Sequence, residues 1–222
     1  MSQKSKYWYL SQFNLENRLK KSELMYLCNS SVMKKYKEAN VVTHEYEDQR
    51  FIYFLKKGTL KLTRINEEGE ELLTYLIPKG AIFGLAQLMT DNYAGNERIE
   101  AMENSIVCKV GINLFRELME QNKNLNNYVL KLSGLKIKRL ENHLENIIFK
   151  SAEKRIRIFI KQFVKEHGIN KGSYYEANLF LNNNNIANLT NTNRQKVNQI
   201  MNSMKNEAII DFDKKTIKWF KK

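Results

Sequence analysis

From Asn126 to Ile148 the chain contains no proline and one glycine, and Leu130, Ser133, Ile137, Leu140, Leu144 and Ile147 recur at alternating spacings of three and four. That spacing predicts a long helix with an apolar seam suited to a partner helix. A second apolar stripe, Leu125, Val129, Leu132 and Leu135, lies on another face. A helix apolar on two faces needs two partners. One stripe is expected to pack on the chain's own core, and the other, Leu130, Ile137, Leu140, Leu144 and Ile147, on a second copy of the chain. A single helix buried inside a monomer is the alternative, and it suits so long and otherwise so charged a run less well.

Upstream of this helix the texture is different. Phe13, Leu15 and Leu19, then Leu24, Tyr26 and Leu27, sit at helical spacing and predict short helices within the first forty residues. Short β-rich runs follow, from Val41 to Tyr46, Arg50 to Leu55, Thr59 to Ile65, Glu71 to Ile77 and Ser105 to Val110. Lys57-Gly58, Glu68-Gly69, Pro78-Lys79-Gly80 and Phe83-Gly84 punctuate them, which predicts an antiparallel sandwich or roll. Gly69 supplies the positive φ of a hairpin tip between Leu60–Thr63 and Leu72–Tyr75. The expected fold class is therefore α+β, with a roll-containing domain over residues 1–125, a dimerisation helix over 126–150 and a third domain over 151–222.

In that third domain Ile156, Phe159, Ile160 and Phe163 mark an amphipathic helix from Ala152 to Val164, with Gly168 as its stop. Asn182 is placed to cap a short helix carrying Ile186, Ala187 and Leu189 inward. After Thr190-Asn191-Thr192, where Asn191 tolerates a left-handed conformation and Thr192 is a candidate cap, a second helix buries Val197, Ile200, Met201 and Met204. This is the layout of a helix-turn-helix. The polar side chains of Thr192, Asn193, Arg194, Gln195, Asn198 and Gln199 are of the types that reach base edges, while Lys196 and Lys205 suit phosphates. Ala208-Ile209-Ile210 and Thr216-Ile217-Lys218-Trp219 then predict a hairpin wing.

Charge points the same way. The chain has 37 Lys and Arg against 24 Asp and Glu, net +13. Residues 1–130 hold 18 basic and 16 acidic side chains, net +2, and residues 131–222 hold 19 and 8, net +11. The surplus lies where the helix-turn-helix lies, and duplex DNA is the polyanion expected. Cys28 and Cys108 are too few for a disulfide scaffold, a four-cysteine zinc site or an iron-sulfur cluster. With no signal-like N-terminus and no run of about 18 apolar residues, the chain is expected to be cytoplasmic, with no membrane partner. No catalytic constellation is visible, so an enzyme is not expected, and no metal site is. A non-specific nucleic-acid adaptor is the remaining competitor.

The order of parts resembles the Crp/Fnr superfamily of bacterial transcription regulators over roughly residues 10–220. Gly58-Thr59-Leu60-Lys61-Leu62, Glu68-Gly69 and Gly80-Ala81-Ile82-Phe83-Gly84 look like its cyclic-nucleotide-binding β-roll, a double-stranded β-helix. Glu153-Lys154-Arg155-Ile156-Arg157-Ile158-Phe159 looks like its first helix after the hinge, and Ile186 to Val197 like its helix-turn-helix. The resemblance implies a homodimer on a two-fold symmetric operator, with RNA polymerase as a partner open to it. It also implies an effector pocket around Phe83, Gly84, Leu85, Ala86, Arg98 and Ile99, with Ser133 of the long helix near the base position.

The departures concern that pocket. Cyclic-nucleotide-binding members hold the ribose hydroxyl with a Glu directly after Phe-Gly and cradle the phosphate with Arg-Ser or Arg-Thr. Here Leu85 follows Gly84, and Ile99 follows Arg98. A leucine leaves the hydroxyl unpaired, at about 1 to 3 kcal/mol. Cyclic nucleotide is therefore not the expected effector, Arg98 is expected to be ion-paired, and Leu85 with Ile99 is a candidate apolar plug. An unknown small molecule or no effector at all is expected instead. A cAMP- or cGMP-gated regulator and a haem-based gas sensor, with His44, His143 or a methionine as axial ligand, are the alternatives.

Overall fold

The computed structural model describes residues 13, 15–43, 51–89 and 97–221, and the chain divides into two compact units, Met1–Lys138 and Arg139–Lys222. Among its described residues the first unit has helix α1 (Lys21–Asn29), followed by strands β1 (Val32–Tyr36), β2 (Val41–Thr43), β3 (Phe51–Lys57), β4 (Leu60–Ile65), β5 (Glu71–Ile77) and β6 (Ile82–Phe83). A short helix α2 (Ala86–Met89), strands β7 (Glu97–Ala101) and β8 (Ser105–Gly111) and helix α3 (Ile112–Gln121) follow. The strands form two antiparallel four-stranded sheets, ordered β1-β8-β3-β6 and β2-β7-β4-β5.

Strand β3 explains this arrangement. Its run Phe51-Ile52-Tyr53-Phe54-Leu55 is apolar at every position, which suits a strand covered on both faces. Tyr53 and Leu55 point into the roll with Tyr36, Val42, Leu60, Ile77, Ile99, Ala101 and Val107. Ile52 and Phe54 point the other way and pack with Cys108, Val110 and the helical residues Leu24, Leu27, Cys28, Phe115, Leu118, Leu125 and Val129. One sheet thus serves two cores. Gly84 follows β6 at φ +85°, and a Cβ there would lie 2.9 Å from the Phe51 carbonyl, so only glycine lets the chain pass this close to β3.

Two expectations change here. Val32–Tyr36 lies within the segment read as short helices, yet forms β1, paired residue by residue from Val32↔Lys109 to Tyr36↔Ser105. An available strand edge outweighs local preference. Strands β1 and β7 were both absent from the sequence reading. The strand expected over Val41–Tyr46 is seen over Val41–Thr43, and the rest of it lies outside the described residues.

The long helix α4 (Lys123–Phe149) has 27 residues, about 40 Å at 1.5 Å per residue, and crosses the boundary between the units. Of the stripe expected to pack on the roll, Leu125 and Val129 are buried, Leu132 is half-buried and Leu135 is exposed. Only the N-terminal part of that stripe finds a core.

In the second unit, helix α5 (Ala152–His167) buries Ile156, Ile160, Phe163 and Val164. Strands β9 (Ile169–Asn170) and β10 (Tyr174–Asn178) precede helices α6 (Asn183–Leu189) and α7 (Arg194–Asn206), and β11 (Ile210–Phe212) and β12 (Thr216–Phe220) close the chain. The wing is a hairpin, and it belongs to a four-stranded sheet ordered β11-β12-β10-β9, which the sequence reading had as two strands.

One side chain joins the parts of this unit. The Arg155 guanidinium donates from Nη1 to the Lys150 carbonyl at 2.6 Å and the Ile147 carbonyl at 3.4 Å. Its Nε donates to Thr190 O at 2.8 Å and its Nη2 to Asn191 O at 2.7 Å. These carbonyls lie at the C-terminal ends of α4 and α6, where the helix leaves its last acceptors without partners and a cation is favoured. Arg155→Ala is expected to destabilise the protein by about 1.5 to 3 kcal/mol, the range for hydrogen bonds to a charged group. Arg155→Lys keeps the charge but not the planar fork, and should recover less than half of that loss. Urea unfolding measures both, and wild-type stability in Arg155→Ala would refute the role.

Candidate nucleic-acid interface

Helix α6 starts with reciprocal caps, Asn185 N donating to Asn182 Oδ1 at 2.9 Å and Asn182 N to Asn185 Oδ1 at 3.1 Å. It ends at Thr190, whose hydroxyl donates to Ile186 O at 2.6 Å. Asn191 then takes φ +50°, the left-handed residue of the turn. The cap of α7 is Asn193, its Oδ1 accepting from Lys196 N at 2.8 Å. This corrects the reading of Thr192 as the cap, and it occupies an Asn193 side-chain atom that had been assigned to base contact. The shift follows from the turn, which puts the first extended residue before the helix at position 193.

Val197, Ile200, Met201 and Met204 are buried beneath α7. Arg194, Gln195, Asn198, Gln199, Asn202, Lys205 and Asn206 are exposed, while Thr192 and Lys196 are half-buried. Asn202 and Asn206 were absent from the predicted set, although each follows another member of the face, Asn198 or Asn202, by four residues.

The lysines are engaged within the protein. Lys196 Nζ donates to Gln199 Oε1 at 3.1 Å. Lys205 Nζ pairs with Asp211 Oδ1 at 2.7 Å and donates to Phe212 O at 3.3 Å, which ties α7 to β11 of the wing. Lys205 therefore has an internal partner, because the wing's Asp211 carboxylate folds back within its reach. That bond to Lys205 holds the Asp211 carboxyl below the usual range. At the tip of the wing Asp213 accepts from the backbone N–H groups of Lys215 and Thr216 at 2.7 and 2.8 Å, which holds its carboxyl low and sets Lys214 and Lys215 exposed at the turn. Arg157 of α5 reaches Glu207 after α7 through Nη1 at 3.0 Å and Nη2 at 2.6 Å, and this bond raises the guanidinium pKa.

The residues expected to form an effector pocket divide between two cores. Phe83 stacks on Tyr53 inside the roll, with centroids 4.9 Å apart, and Ile99 joins the same core. Leu85 packs in the other cluster, with the helices, so Leu85 and Ile99 do not form one plug. The sheet between them separates the two. Ala86 opens α2. Arg98 pairs with Glu71 at 3.1 Å and Glu100 at 3.2 Å. Ser133 is half-buried on α4. Both Nη groups of Arg98 are thus engaged by carboxylates, while its Nε is buried without a hydrogen-bond partner among the described residues. His143 lines a cleft of about 70 Å³ with Asn146, Arg155, Phe159 and Gln162. That is smaller than the ~150 Å³ that accepts benzene, and far too small for a porphyrin. His44 lies outside the described residues.

On the long helix, Leu130, Ile137, Leu140 and Leu144 are 53%, 58%, 60% and 58% exposed. Ile147 is half-buried instead, and Ile148, at 62%, takes the exposed place at the end of the stripe. The change fits the step of four from Leu144 rather than three.

Residues 33–122 match the cyclic nucleotide-binding domain family. The regulatory protein HlyX of Actinobacillus pleuropneumoniae is 22% identical over 209 residues, covering 94% of this chain and 86% of that protein. A global nitrogen regulator from Nostoc sp. is 23% identical over 167 residues, 75% of each chain. Among solved structures, FixK2 from Bradyrhizobium japonicum superposes with a TM-score of 0.74 at 14% identity, over 86% of this chain and 93% of that one. A chain from Eubacterium rectale described as a regulator of the crp/fnr family gives 0.72 at 17%, over 95% of each. The chain is thus similar over most of its length to curated regulatory proteins, and its roll, long helix and winged helix-turn-helix have the fold of a solved chain described as a regulator of the crp/fnr family.

Proposed function

We propose that two copies of this chain associate through the exposed stripe of α4 and set their α7 helices into successive major grooves of a two-fold symmetric operator. The observation that carries this reading is the polar face of α7, opposite its buried stripe and within the part of the chain that holds the positive surplus. Leu130, Ile137, Leu140 and Leu144 support the dimer, since four large apolar side chains more than half exposed on one helix ask for a cover. Productive binding needs the two recognition helices about 34 Å apart, and an effector of the roll acts by shifting the population that meets this spacing. The boundaries 1–125, 126–150 and 151–222 serve as sensor, dimer helix and DNA-binding domain.

Arg194, Gln195, Asn198, Gln199 and Asn202 take the bases. Lys214 and Lys215 take phosphates, joined by Lys196 and Lys205 when these exchange their internal partners for the backbone. The packed interior of the roll and the committed Arg98 support an effector other than cAMP or cGMP.

Leu140→Glu is expected to yield monomers in analytical ultracentrifugation and to weaken operator binding by about 100-fold or more, because linked half-site contacts are lost. A dimer that survives the change counts against the seam. Isothermal titration with cAMP should give no heat of binding, and a submicromolar Kd would overturn the reading of the roll. Arg194→Ala should cost about 1 to 3 kcal/mol on the preferred site and flatten the sequence preference. Lys214→Ala should weaken specific and random duplexes alike and reduce the salt slope by about one. Equal losses from both changes on both duplexes would refute that division of labour.

A further inference from the structure

We infer that the operator half-site is adenine-rich, read by a stripe of carboxamides along α7. The inference rests on the DNA-binding reading above and goes on to name the bases. Gln195, Asn198, Gln199, Asn202 and Asn206 are all exposed on α7. At about 100° per residue they fall within an arc of about 100°, opposite the arc of Val197, Ile200, Met201 and Met204 that is buried. Arg194 and Lys205 lie along one flank of the stripe and Lys196 along the other.

The chemistry of the stripe is narrow. Asparagine and glutamine offer one acceptor and one donor group side by side, the complement of adenine N6–H and N7 in the major groove. Guanine is read mainly by Arg or Lys, and cytosine N4–H by Asp or Glu. From Arg194 to Asn206 the helix has no carboxylate, and its one arginine stands at the first position. Among the described residues the side chains of Gln195, Asn198 and Asn202 have no hydrogen-bond partner within the protein, so both ends of each amide are available. Gln199 is set in advance: its Oε1 accepts from Lys196 Nζ at 3.1 Å, which leaves Nε2 to donate to a purine N7, so the choice of adenine over guanine falls to Gln195, Asn198 and Asn202.

A face of this kind discriminates for A·T pairs at successive positions, with a single G·C pair at the place that Arg194 reaches. Selection of the full-length protein against a random-sequence duplex library tests it. The expected result is a two-fold motif whose half-sites are mostly A·T, with adenine on the contacted strand and at most one guanine. A two-fold motif with half-sites dominated by G·C would overturn the inference and leave the DNA-binding reading standing. Failure to enrich any motif would overturn both. A second measurement separates direct reading from DNA shape: 7-deazaadenine at an enriched position removes N7 while keeping the Watson–Crick pair. Affinity is then expected to fall by about two- to 12-fold, the loss of one of the two hydrogen bonds of the bidentate contact. Unchanged affinity at every enriched adenine would overturn the inference, even for an A·T-rich motif.

Discussion

The second unit depends on a single cation. Four carbonyl groups, from Ile147, Lys150, Thr190 and Asn191, converge on the guanidinium of Arg155. Each lies where a helix has ended and its last acceptors have no N–H ahead of them. An ammonium cannot replace this planar fork, because its three donors radiate from one point. The end of α4 and the turn before α7 are thereby referenced to the same side chain, and the position of the Asn193 cap follows from that turn. Arg157, two residues along α5, makes the complementary tie to Glu207 beyond the other end of α7. The recognition helix is held at both ends from one helix.

The roll distributes its polar and apolar groups differently. Its interior is filled by aromatic and aliphatic side chains, with Tyr53 stacked on Phe83, while the β4–β7 pairing carries Lys61 with Glu100 and Arg64 with Glu97. The more exposed of these, Arg64 with Glu97, is of a kind that contributes about 0 to 1 kcal/mol, whereas burying one large apolar side chain contributes about 1.5 to 3. The packing of the interior therefore outweighs the ionic ladder. Arg98 belongs to that ladder.

Much of this was legible in the residues. The alternating spacing of three and four gave α4, the glycine turns gave the central strands, and Asn182 and Asn191 marked the cap and turn of the helix-turn-helix. What escaped has a common physical origin. Val32–Tyr36 becomes a strand because an edge is offered to it, and its mixed polarity shows no period of two, while Glu97–Ala101 alternates only over its last four residues, with Ile99 and Ala101 buried. Tyr174–Asn178 is recruited in the same way by β12. The partners of Lys205 and Arg155 lie on chain segments brought close only by the fold, so no spacing in the sequence announces them. Leu85 and Ile99 looked like neighbours because both stand where effector contacts would be, yet β3 presents one core to each face. Asn202 escaped for the opposite reason, since its signal was local: it lies one turn beyond Asn198.

The two cysteines lie together in the core between the roll and its helices, Cys28 on α1 and Cys108 on β8, both at 2% exposure or less. Neither is in a disulfide, and residues 139–222 contain no other. Nature has thus placed every thiol of the chain on one side of the boundary. A thiol-reactive dye reaches them only when that core opens, so its labelling rate clocks the breathing of the first unit alone, with the other half of the molecule chemically silent.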